Sequence, residues 1–261
     1  HFGDAQGREQ SQVGRIVRPA DLGLLASLGI AEVSVRRRLR VAFFSTGDEL
    51  RSVGEPLAHG QVYDSNRYTL FGMLSRLDVE LIDMGVVRDD PAALEAAMRT
   101  AAGCADAIVS SGGVSVGEAD FTREIMARLG DVAFWTVAMR PGRPLAFGWV
   151  GEAFYFGLPG NPRAVMVLYQ EYVLPYLRAM QGSTDPWPRT DHVPLAQALT
   201  VKGDRAEFRA ARLEAGRVRL LADEGSHMLR SLIDADALVY LPTEKRSWNE
   251  GDMIEVHLLP R

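Results

Sequence analysis

Residues 110–121, SSGGVSVGEADF, hold three serines (Ser110, Ser111, Ser115), three glycines (Gly112, Gly113, Gly117) and two carboxylates, Glu118 and Asp120. Glycine lets backbone N–H groups approach a ligand closely, and serine adds hydroxyl donors. Together they suit a phosphate or another oxyanion, above all before a helix N-terminus. The segment lacks the Lys-Ser/Thr pair and spacing of a P-loop. Arg140 and Arg143 in MRPGRP bring cationic forks that bind oxyanions in a bidentate manner. Asp48 and Glu49 in STGDEL, Asp89 and Asp90 in RDDP, and Glu118 and Asp120 supply hard oxygen ligands. Carboxylates beside an anion site point to a divalent cation shared with that anion, as Mg2+ is with phosphates.

Such residues act together only if the fold gathers them. From residue 41 apolar β-branched runs alternate with helix-periodic segments: VAFFST, a helix over 65–78, VELIDMGVV, a helix over 90–104, DAIV, a helix over 120–130, VAFWTVAM, PLAFGWV, AFYFG and a helix over 161–180. That alternation predicts an α/β fold with a parallel sheet covered by helices on both faces. Each chemical segment then follows a strand, and ligands of open parallel sheets bind beyond the carboxyl ends of strands. A turn-rich stretch over 182–194 precedes short alternating runs that predict a small all-β unit. The predicted organisation is a tail over 1–36, an α/β domain over 37–184 and a β-barrel-like domain over 185–261.

Simpler roles compete at single positions. Asp90 can cap a helix whose first residue is Pro91, Asp21 can cap a helix over 19–30 that Gly29 ends, Gly130 can close the helix before it, and PGNP is a helix-start signal. Trp135 and Trp149 suit a core, His227 a structural role, and Cys104 lacks a partner base. The coincidence of chemical residues at five strand ends favours a site.

The totals exclude several classes. The chain has 261 residues with 47% hydrophobic and 24% charged, as in globular proteins. A net charge of −5 argues against non-specific nucleic-acid binding. One cysteine rules out an internal disulfide. No run reaches the roughly 20 apolar residues of a membrane span. The single cysteine and the polar start fit a cytoplasmic location.

SLGIAEV, STGDEL, GQVYDSNRY, RDDP, SSGGVSVGEADF, RPGRP, GLPGNP and GSHML occur in an order that resembles the molybdopterin molybdenumtransferases, the MoeA and gephyrin E-domain family. The resemblance covers about residues 15–261. SGGxSxG alone would indicate only the wider molybdopterin-binding fold, whereas GLPGNP with a C-terminal β unit separates this family from the molybdopterin adenylyltransferases. It implies a MogA-like α/β domain, residues 1–36 as the tail and remnant of an N-terminal portion, and a homodimer when full length. The implied reaction cleaves adenylylated molybdopterin, releases AMP and inserts molybdate at the dithiolene, with a divalent cation such as Mg2+.

By that resemblance Asp89, Asp120 and Glu49 are catalytic and metal-binding. Ser111, Gly112, Gly113, Ser115, Arg140, Arg143, Pro159, Asn161, Pro162 and Ser226 bind the pterin nucleotide or molybdate. Contact with the adenylyltransferase of the same pathway is a further implied partnership. Relatives often carry lysines where this chain has Thr136, Arg140 and Arg143, so its anion selectivity is expected to differ. Two alternatives stay open: a ligand-binding fragment without full turnover, and a molybdopterin adenylyltransferase.

Overall fold

A computed structural model describes residues 16–113, 119–222 and 229–260, and the backbone of a strand pair, Phe2–Gly3 with Glu9–Gln10; side chains of residues 119–121, 134 and 135 are outside the description. Helix α1 (Pro19–Ser27) comes first. Asp21 lies inside it rather than at its cap: its carboxylate accepts from the Arg18 backbone N–H at 2.8 Å, and Gly29 ends the turn at φ +70°. Pro19 at the first helical position is the reason, because proline occupies a site where no N–H is needed.

The first sheet is built from β1 (Arg40–Thr46), β2 (Glu80–Val87), β3 (Ala107–Ser111), β4 (Gly130–Thr136), then, past the short strand β5 (Met139–Arg140), β6 (Pro144–Val150) and β7 (Ala153–Leu158). Its order is β2-β1-β3-β7-β6-β4. β2, β1, β3 and β7 run parallel. β6 pairs antiparallel with β7 and with β4, so the sheet is mixed rather than all parallel. The cause is visible in the chain: only Gly151 and Glu152 separate β6 from β7, which leaves room for a hairpin turn and none for a crossover helix. Gly130 likewise begins β4 instead of ending the helix before it. A Cβ there would collide with the Trp149 carbonyl oxygen.

β1 is buried on both faces. Val41 and Phe43 join one apolar cluster with Leu70, Val165 and Leu168, while Ala42 and Phe44 join another with Met98, Ile125 and Met126. The covering helices are α2 (Ser65–Leu74) on the first face, and α3 (Pro91–Cys104) and α4 (Ala119–Leu129) on the second. Each fully buried large side chain is worth about 2–3 kcal/mol of transfer free energy.

A long helix returns along the first face as α5 (Pro162–Leu168), a π turn over Tyr169–Val173 and α6 (Leu174–Met180). The second sheet comprises β8 (Thr190–Pro194), β9 (Ala206–Glu214), β10 (Arg217–Leu220), β11 (Ala237–Leu241) and β12 (Met253–Leu258), in the order β8-β12-β11-β9-β10. β9 also pairs in parallel with β5, joining Ala206 to Met139 and Glu207 to Arg140. The core runs through this seam, since Phe208, Ala210 and Leu238 belong to the same cluster as Phe43. No helix among the described residues is long and apolar enough to cross a membrane.

A second clasp lies where the π turn meets β12. His257 Nδ1 is 2.7 Å from Glu171 Oε2, and Nε2 is 3.0 Å from Glu255 Oε1. Burial alone would push the imidazolium pKa down, but hydrogen bonds and charge from Glu171, then Glu255, raise it above the usual histidine value. A folded-state pKa above the unfolded one gives stability that is complete below about pH 6.5 and fades as pH rises through the folded value. His257→Gln is therefore expected to destabilise by about 2 kcal/mol at pH 6 and by clearly less at pH 9. Thermal unfolding at both pH values checks this, and an equal loss at both would exclude the charged clasp.

Candidate functional site

Strand direction gathers the chemical segments on one edge of the first sheet. Asp89 follows β2, Asp48 and Glu49 follow β1, Ser111–Gly113 end β3, and Pro159–Pro162 follow β7. Because β6 runs the other way, Arg143 just before it reaches the same edge as Thr136 at the end of β4. The Asp89 N–H donates to Asp48 Oδ1 at 3.3 Å, so the β1 and β2 ends are tied. The exposed Glu49 carboxylate curls over Gly47, where an added Cβ would lie 2.7 Å from Oε2. Asp90 caps α3 by accepting from Ala93 N at 2.9 Å. The Asp120 side chain, Ser115, Glu118, Ser226 and His227 lie outside the described residues.

Gly112 and Gly113 are required by geometry. Their φ angles are +94° and +66°, a region that side chains disfavour. A Cβ on Gly112 would strike the Thr46 carbonyl oxygen and lie 2.7 Å from Thr46 Oγ1. The Gly112 N–H donates to Leu158 O at 2.9 Å, fixing the β3 end against the β7 end. The hydroxyls of Thr46 and Thr122, 3.0 and 3.8 Å from a Cβ on Gly113, are buried without a hydrogen-bond partner among the described residues. Buried polar groups are almost always paired, so two unpartnered hydroxyls beside one loop call for an explanation.

Beside this loop, along the β5–β9 seam, opens a cavity of about 610 Å3. Arg140, Arg143, Pro159 and Asn161 line it, as do Arg163, Arg205, Glu207 and Arg209, which sequence reasoning did not select. Pro162 opens α5 behind it. Asn161 Oδ1 is committed to the helix cap, accepting from Arg163 N at 3.0 Å and Ala164 N at 3.4 Å. Glu207, with a side chain only 6% exposed, receives the Arg209 fork, Nε and Nη2 both at 2.9 Å, and faces Arg140 Nη1 at 3.9 Å. Among the described residues five arginines and one carboxylate line it, which makes this part of the wall positive on an acidic protein, and partial enclosure strengthens such a field. The arrangement can hold and neutralise a multiply charged oxyanion.

Three of the missed residues had a readable signal. Arg205, the residue before β9, alternates with Glu207 and Arg209 within it, and in extended chain residues two apart share a face. A charged row on a strand that is otherwise buried needs a reason. Arg163 follows the helix-start motif and offered no such pattern.

Asp89 and Glu49 carry hard oxygen donors, the kind a Mg2+-like cation takes, at adjoining strand ends. Among the described residues no three side chains form a metal-binding group.

Residues 42–179 match the family described as a probable molybdopterin binding domain, and residues 192–259 match the MoeA C-terminal region, domain IV. The molybdopterin molybdenumtransferase of Haemophilus influenzae is 38% identical over 257 residues, covering 94% of this chain and 63% of that protein. That of a Nostoc species is 37% identical, covering 92% and 58%. The crystal structure of a molybdopterin biosynthesis MoeA protein from Pyrococcus horikoshii superposes with a TM-score of 0.78 at 32% identity, covering 92% of this chain and 59% of that one. The chain thus spans about three fifths of the length of these relatives.

Gly112→Ala is expected to destabilise by about 2–4 kcal/mol, from strain and a steric clash combined. Gly54→Ala is the control: φ is +96°, but nothing lies within 4 Å of its Cβ, so it carries the conformational part alone, about 1–2 kcal/mol. Urea unfolding of both variants separates the two contributions. Equal losses would show that the backbone approach at Gly112 is not tight.

Proposed function

This chain belongs to the molybdopterin-binding domain family, with a MoeA-type C-terminal region, and we propose that it takes adenylylated molybdopterin and molybdate, releases AMP and leaves molybdenum on the dithiolene. The carrying observation is the arginine-lined seam cavity beside the Gly112–Gly113 loop. Molybdate is a dianion, and the two phosphoryl groups of the anhydride carry about one negative charge each. Cleaving a phosphoanhydride requires their charge to be neutralised and the reacting oxygens to be oriented.

In this reading the residues divide by position. Arg140 and Arg143 bind molybdate or phosphate through paired N–H donors, and Arg205 and Arg209 add charge from the second sheet. Gly112, Gly113, Ser111 and Ser115 hold the nucleotide side of the ligand. Asn161 acts through its cap, keeping Pro159 and Pro162 in the turn beside the cavity, and Ser226 is a further ligand-binding residue. Asp89, Asp120 and Glu49 would hold Mg2+, which would supply charge neutralisation to the phosphates. A homodimer, contact with the pathway's adenylyltransferase and a cytoplasmic setting belong to the same proposal.

The test is AMP release from adenylylated molybdopterin with and without molybdate and Mg2+. Release is expected to depend on both. Arg140→Ala is expected to raise the molybdate concentration for half-maximal release about tenfold, the value of one charge-assisted hydrogen bond. Release indifferent to molybdate, or ATP consumption with molybdopterin in its place, would contradict the reading.

A further inference from the structure

Asn66, the second residue of α2, touches neither the seam cavity nor the exposed carboxylates, yet it is only 8% exposed. Its amide nitrogen donates twice: to Ser111 Oγ at 2.8 Å and to the Gly160 carbonyl oxygen at 2.8 Å. Ser111 Oγ donates onward to Pro159 O at 3.4 Å. One planar amide therefore joins the strand end that carries Gly112 to the turn that carries Pro159 and Asn161. Because a carbonyl oxygen can only accept, the atom facing Gly160 must be Nδ2, which fixes the orientation of the amide.

Asn66 is itself held in place. Asp64 caps α2 by accepting from Arg67 N at 3.0 Å, and its Oδ1 also accepts from Ser45 Oγ at 3.0 Å at the end of β1. The chain of contacts thus runs from the β1 end through α2 to the β3 end and the turn after β7. Both amide hydrogens are used, while Asn66 Oδ1 is buried without a partner among the described residues. An unpaired buried acceptor is unfavourable, so the residue serves the fold poorly on its own account and the two neighbouring segments well. Aspartate has the same shape without the donors, and alanine or serine is too short to span both acceptors.

We propose that Asn66 is a positioning residue that sets the Ser111–Gly113 donors and the Pro159–Asn161 turn in fixed relation, so that one ligand can engage both. The proposal rests on the functional reading above for the identity of that ligand, but not for the coupling itself.

The test uses Asn66→Asp, with Asn66→Ala as a second variant, and two readouts. The first is hydrogen exchange at the Gly112 amide, which bonds to Leu158 O, against exchange in the β1 core at Val41–Phe44. The second is AMP affinity by titration calorimetry. Both variants are expected to speed Gly112 exchange about tenfold, as the loss of one or two hydrogen bonds predicts, with β1 unchanged and AMP affinity about tenfold weaker. Unchanged Gly112 exchange would overturn the proposal. So would a uniform rise across the sheet, which would make Asn66 merely structural. If the unmodified protein fails to bind AMP, the functional reading falls, and the exchange result still decides the role of Asn66.

Discussion

Two residue pairs of parallel sheet, Met139 with Ala206 and Arg140 with Glu207, carry the β9 arginines to the edge of the first sheet. The pairing is short, but the buried Glu207 makes it specific. Its carboxylate is nearly desolvated, and such a charge is retained only when compensated. The Arg209 fork and the nearby Arg140 do so. Cavity, charge and continuous core all follow from this seam: Phe208 enters the same apolar cluster as Phe43, while Arg205 and Arg209 face the side where Arg140 and Arg143 stand.

The other half of the site depends on strand direction. Parallel strands present their carboxyl ends together, and the antiparallel β6 adds its starting residue to the same edge. What distinguishes this edge from a set of turns is the concentration of polar atoms. Thr46, Asp64, Asn66 and Thr122 all hold a buried atom with no partner among the described residues, and all lie at or beside the β1 and β3 ends. Buried atoms without a partner among the described residues also occur on Arg40, Arg163, Glu171 and Ser231, so it is their grouping at these strand ends that stands out. Asp106, by contrast, is held well below the usual carboxylate range by hydrogen bonds first from Arg37 and then from Arg40.

Much of this was legible from residue types. Period-2 and period-3.6 runs located the first-sheet strands and their helices, and glycine and arginine clusters marked the rim. Where sequence reasoning failed, a physical reason is visible. Gly130 reads as a helix end because glycine usually marks one, whereas here it admits the Trp149 carbonyl. The β6–β7 hairpin is marked in the sequence only by the two residues between two similar apolar runs, too few for a crossover helix. The helix read from residue 65 does begin there, but Asn66 in its first turn also fastens two distant segments, a tertiary fact that local pattern does not encode. The π turn that aims Glu171 at His257 has no sequence signal either, since it differs from its flanking helix only in hydrogen-bond register.

The central claim is that the seam between the two sheets holds the oxyanion. A crystal soaked in molybdate and measured at the molybdenum absorption edge tests it most directly, because the anomalous signal places the metal without assuming any reaction. The account predicts a peak within the cavity, in contact with Arg140 or Arg143 and close to Arg205 or Arg209. A peak on another surface, or its persistence in the cavity when Arg140 and Arg143 are both alanine, would contradict it.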